Sequence, residues 1–188
     1  MDNILEKIVQ VKRREVERLK VEVPIAALEE RIERQPPALN LAGALWGDSV
    51  RIIAEVKKAS PSKGLLRADF DAGALAKTYV DNGAAAISVL TNVDHFQGSI
   101  EHMASVHSVT SPHKIPVLRK EFIFDPYQVY EARAYGADAI LLIVAMLTPD
   151  CLKSLMNLSQ KFWMQCLVEV RNEDELKTAI EGLSLIHI

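Results

Sequence analysis

From Arg51 onward, short apolar runs alternate with longer stretches of helical period, and that alternation restricts the chain more than any other feature. The runs are "RIIAEVK", "AAAISVL", "IPVLRKEF", "ADAILLIVA" and "MQCLVEV". Near-continuous apolar runs of this length, separated by helices, describe strands buried on both faces and hence a parallel sheet. The intervening stretches are "DFDAGALAKTYVDNG", "GSIEHMASVHSVT", "DPYQVYEARAYG" and "TPDCLKSLMNLSQKF", and "NEDELKTAIEG" follows the last strand. Helix punctuation marks their ends. Gly83 and Gly136 close two of them, Asp125 and Asn172 stand as N-caps, and Pro126 falls in a first turn, where an N–H is not needed. "NGAAAISVL" and "YGADAILLI" repeat one design: a helix-ending glycine, small residues, then an apolar strand. Five βα steps result. A doubly wound sheet accommodates them, and so does the first part of a (β/α)8 barrel.

The residues before Arg51 follow another pattern. Ile4, Leu5, Ile8, Val11, Val16 and Leu19 mark one face of a helix, with charges on the other. Pro24 begins a second helix, "IAALEERIER", which the Pro36-Pro37 pair ends. Residues 1–50 therefore read as a helical extension laid against a main domain over 51–182. The formal charge of −3 provides no broad field for nucleic acid or an anionic membrane, although local lysine clusters can still hold a small anion. Cys151 and Cys166 have no metal or redox spacing and read as buried thiols in a reducing compartment. The five histidines form no ligand pattern, so no metal site is expected. No apolar run approaches the ~20 residues of a membrane span. Asp2, Glu6, Glu15 and Glu17 argue against a transit peptide, and a cytoplasmic protein is the simplest reading.

Strand period places the polar residues. In "RIIAEVK", Ile53, Glu55 and Lys57 share one face, and Ile52, Ala54 and Val56 the other. Leu118 and Lys120 share a face, as do Gln165, Leu167 and Glu169, the last opposed by Cys166, Val168 and Val170. Ionisable groups thus end three strands, on the face opposite a mostly apolar one. In a barrel they would converge at the C-terminal mouth, where barrel enzymes keep their chemistry. Two lysines and two glutamates held close together tune one another for proton transfer. Lys58 and Lys63 read as solvated rim charges, Lys63 with a part in attracting an anion.

"IIAEVKKASPSKG", "AISVLTNVDHFQGS", "PVLRKEFIFDPYQVYEARAYGADAILLIV" and "CLVEVRNEDEL" together resemble the indole-3-glycerol phosphate synthase family. The likeness runs from the N-terminal helices to about Glu181. It implies a (β/α)8 TIM barrel with an N-terminal helical segment, of which this chain holds about five βα units. It also implies decarboxylating ring closure of 1-(2-carboxyphenylamino)-1-deoxy-D-ribulose 5-phosphate to indole-3-glycerol phosphate, with no metal or organic cofactor. By resemblance Lys120 is the general acid of ring closure, and Lys57 lies near the substrate carboxylate. Glu55 and Glu169 match the two acidic positions, either being the base. Ser60 matches a substrate-binding serine, Phe96 and Phe122 match walls around the anthranilate ring, and Ser88 and Leu90 match pocket lining.

The same resemblance implies three further strands beyond this sequence, whose loops would supply the phosphate grip. The ending "LSLIHI", residues 183–188, reads as a non-native read-through tail, and the chain alone is expected to be poorly soluble and inactive. The expected partner is a phosphorylated small molecule, with fusion to or association with other tryptophan-pathway enzymes also open. Two other readings remain: a Schiff-base lyase using Lys57 or Lys120, and a non-catalytic binding fragment.

Overall fold

The computed structural model describes residues 4–181 and 186–187. The extension forms α1 (Ile4–Glu22), α2 (Ile25–Glu33) and a short α3 (Leu41–Leu45). Strand β1 (Ile53–Val56) leads into a small antiparallel hairpin, β2 (Ala59–Ser60) with β3 (Gly64–Leu65). Then follow α4 (Ala72–Asp81), β4 (Ala86–Leu90), the single-turn α5 (Val93–Phe96) and α6 (Ile100–Thr110). The chain continues through β5 (Val117–Lys120), α7 (Pro126–Ala134), β6 (Ala139–Ile143), α8 (Pro149–Lys161), β7 (Gln165–Glu169) and α9 (Glu173–Glu181). Ile186–His187 add a two-residue strand, β8, beside β7; the other residues of the expected 183–188 tail lie outside the described ones.

Strand order decides between the two architectures. The main sheet runs β1-β4-β5-β6-β7-β8, and every pair is parallel. The order never reverses, whereas a doubly wound sheet must reverse at its switch point. One face of the sheet carries Val56, Ile87, Val89, Val117, Ile140, Leu142, Cys166 and Val168, packed on residues of α4, α6, α7, α8 and α9. All five helices therefore lie outside, as in a (β/α) barrel. The described part is a partial TIM barrel, with its sheet open among the described residues.

The inner face is filled by Ala86, Leu118, Ala139, Leu141, Ile143 and Leu167. Fully buried Leu41 of α3 packs among them. The α3 segment is held there by polar ties to strand starts. Leu39 N–H donates to Asp138 Oδ1 and Ala42 N–H to Gln165 Oε1, both at 2.8 Å. The other extension helices pack on α7 through Val16, Leu28, Tyr127 and Ala134.

Two expectations of facing change. Val11 is 41% exposed, and its expected place on the α1 face is taken by Lys12, which is buried. Ile52, expected on the apolar outer face, precedes β1 and is 62% exposed.

Candidate active site

Each candidate group is delivered by a strand end. Glu55 lies in β1, with Lys57 one residue past it; Lys120 ends β5 and Glu169 ends β7. Parallel register brings them level: Glu55 pairs with Ser88, Leu90 with Lys120, and Ile143 with Glu169. The side chains close on one another. Lys120 Nζ donates to Glu55 Oε2 at 2.8 Å, and Lys57 Nζ donates to Glu55 Oε1. Burial alone would raise the Glu55 pKa, but the hydrogen bonds from Lys120 and Lys57 outweigh it and hold the carboxyl below its usual value. The Glu169 carboxylate borders the same space and makes no hydrogen bond or ion pair among the described residues.

These groups border two adjoining cavities of about 210 and 240 Å³, which share Glu55, Lys120, Leu141 and Glu169. The outer one adds Lys57, Leu90, Phe96, Glu121, Phe122 and Ile143. The inner one adds Ser88, whose buried hydroxyl lacks a partner among the described residues. Phe96 and Phe122 form a tilted pair, 6.3 Å between ring centroids, walling one side of the outer cavity. The site thus combines an apolar slot for a flat ring with two ammonium donors, one ionised carboxylate and one unpaired carboxylate.

Phe96 reaches the slot because α5 is locally fixed. Asn92 caps it, accepting from His95 N–H at 3.0 Å. Behind it the chain passes Leu90 so closely that Gly98 has no room for a Cβ. Phe122 is set by the turn after β5, where Asp125 and Gln128 form a capping box at the start of α7.

Eight of the nine expected residues line the cavities: Glu55, Lys57, Ser88, Leu90, Phe96, Lys120, Phe122 and Glu169. Ser60 does not. It stands in the β2–β3 hairpin, where its Oγ accepts from Lys63 N–H at 3.3 Å. Sequence reasoning missed Glu121, which also borders the slot, and its partner Lys12. Lys12 was findable, since it sits four residues from both Ile8 and Val16 and so shares their face. Glu121 follows the strand proper and had no such signal.

An in-order parallel barrel sheet with acid–base groups gathered at the C-terminal strand ends defines an enzyme of the TIM-barrel class. Residues 5–186 match the family model described as indole-3-glycerol phosphate synthase. The chain is 52% identical over 180 residues to the indole-3-glycerol phosphate synthase of Dehalococcoides mccartyi strain CBDB1, covering 95% of this chain and 70% of that protein. It is likewise 52% identical over 193 residues to that of Roseiflexus sp. strain RS-1, covering 100% and 72%. The chain belongs to the indole-3-glycerol phosphate synthase family, whose enzymes are decarboxylating lyases of tryptophan biosynthesis. Solved structures show the fold at low identity. The carboxyl transferase domain of Rhizobium etli pyruvate carboxylase matches at a TM-score of 0.51 and 10% identity, covering 73% of this chain and 26% of that one. A structure described as native KDPGal matches at 0.50 and 18%, covering 76% and 60%.

Proposed function

We propose that the Lys120–Glu55–Lys57 cluster and Glu169 carry out the acid–base steps of indole-3-glycerol phosphate formation. The reaction closes the five-membered ring of 1-(2-carboxyphenylamino)-1-deoxy-D-ribulose 5-phosphate and releases carbon dioxide and water. The observation that carries this reading is the joining of that cluster and an apolar slot in one cavity system. The anthranilate ring lies against the wall formed by Phe96 and Phe122. Lys120 protonates the ribulose carbonyl oxygen as the ring carbon attacks it, turning it into a hydroxyl. Lys57 faces the substrate carboxylate that departs as carbon dioxide. Loss of the hydroxyl as water then needs an acid and a base. Lys57 protonates the departing hydroxyl; Glu55, held ionised between the two ammonium groups, balances their charge, and Glu169 takes the ring proton.

Lys120→Met is the direct test, made in the protein as its gene encodes it. Removing a positioned general acid should lower the rate of indole formation, followed by product fluorescence, by ~10²–10⁴-fold. Unchanged ring closure overturns the assignment. Both lysines donate to one carboxylate, which suits an acid and not a nucleophile. Borohydride added during turnover should therefore trap no substrate–lysine adduct; a trapped adduct favours the Schiff-base reading.

The reading includes a cytoplasmic enzyme. It is supported by the acidic residues among the first twenty and by the lack, among the described residues, of a helix long and apolar enough to cross a membrane.

A further inference from the structure

Glu121 borders the catalytic cavity, yet its carboxylate cannot serve substrate. The residue is 2% exposed, and both oxygens are taken. Oε1 accepts from Phe122 N–H at 2.9 Å and Asn92 Nδ2 at 3.2 Å. Oε2 accepts from Lys12 Nζ at 3.0 Å and Thr91 Oγ1 at 3.1 Å. A carboxylate offers about four acceptor positions, so none remains.

Each donor leads to a part of the site. Phe122 forms part of the aromatic wall of the slot. Asn92 caps α5, which carries Phe96, the ring packed beside Phe122 in the same wall. Thr91 also accepts from Arg119 Nε at 3.1 Å, and Arg119 is anchored in α7 through Glu131 Oε2 at 2.6 Å and the Gln128 carbonyl at 2.9 Å. Arg119 and Glu121 flank Lys120 in the chain, so Lys120 is gripped from both sides. Lys12 supplies a buried cation from α1, and it pairs with Glu15 as well at 2.6 Å.

We propose that Glu121 is a positioning residue that sets the two phenylalanines of that wall and the backbone of Lys120, and that Lys12 of α1 locks it in place. Burying a carboxylate is costly unless it is paired and hydrogen-bonded. The other three donors to Glu121 are neutral, so Lys12 supplies the only cation bonded to it among the described residues. The N-terminal helix thereby acts on the chemistry without touching substrate. This rests on the ring-closure reading of the site.

The test compares Lys12→Met, Lys12→Arg and Glu121→Gln with the parent, all made in the protein as its gene encodes it, measuring kcat, KM and Tm for each. Small misplacement of reacting groups costs up to ~10²-fold in rate, so Lys12→Met and Glu121→Gln should lower kcat by about ten- to a hundredfold at temperatures where both are fully folded. Lys12→Arg keeps the charge and should recover most of that loss. The inference is overturned if Lys12→Met and Glu121→Gln lower Tm but keep kcat and KM within about twofold of the parent. If Lys12→Met does not fold, Glu121→Gln decides by the same criterion. A parent without ring-closure activity overturns the reading of the site and this inference with it. That result is distinct, because every variant then matches the parent.

Discussion

Glu55 is the residue on which the site's charges balance. It receives both Lys57 and Lys120, and their hydrogen bonds more than offset the burial that would otherwise raise its pKa. A carboxyl lowered in the folded state stabilises it above the unfolded value, about 4.3 for Glu, and that contribution is lost as pH falls through the lowered value. The stability of the parent relative to Glu55→Gln should therefore decline as pH drops from 7 to 3, with most of the change below about pH 4. Thermal melts at several pH values measure it, and a difference independent of pH would contradict the ion-pair geometry. At this scale much was readable in advance. Strand alternation alone placed Glu55, Lys57, Lys120 and Glu169 on the inner face, because side chains of a strand must alternate. Ser60 is carried by resemblance to a motif; strand alternation does not place it, and it stands in the hairpin with its Oγ accepting from Lys63 N–H. The Glu121 contacts join residues 12, 91, 92 and 122, and no local pattern encodes such a meeting.

Among the elements, α3 has an effect out of proportion to its five residues. Leu41 is fully buried against Leu118, Ala139, Leu141 and Leu167, filling the inner face beneath the lysines and glutamates of the strand ends. Truncating a buried leucine costs ~2–5 kcal/mol through lost burial and the cavity left behind. Leu41→Ala should lower stability to denaturant by that amount, and a loss below ~1 kcal/mol would mean that the inner face closes without it. The longer helices and strands were legible because period, caps and breakers agreed. Asp71, Ser99, Asp125, Thr148 and Asn172 each accept a backbone N–H of the helix they begin. Helix α3, the hairpin β2–β3 and the single turn α5 were not read. They are too short for a period to show, and they exist because of what they pack on or tie to. In α1 the helix was right but its facing shifted, since an ion pair with Glu121 lets Lys12 displace Val11 from the buried face.

For the whole molecule, the order of the sheet matters most. Among the described residues β1 has no neighbour on its outer side, and beside that edge Trp46, Val50 and Ile52 are 85%, 91% and 62% exposed. An unpaired strand edge flanked by large apolar side chains invites pairing with another copy. The 188-residue chain expressed alone should self-associate in a concentration-dependent way by light scattering, and Ile52→Lys should reduce it. A monodisperse monomer at high concentration would refute this. The sequence by itself determined the βα alternation, the parallel sheet, the helical extension and the inward phase of the acid–base residues. All of these follow from local rules of period, capping and alternation. Only the tertiary structure decided that the strands follow one another without reversal, that α3 fills the inner face, and that Lys12 reaches Glu121 across 109 positions of the chain. Those facts depend on which distant surfaces meet. Burial decides that, because a charge can enter the interior only where a partner is already waiting.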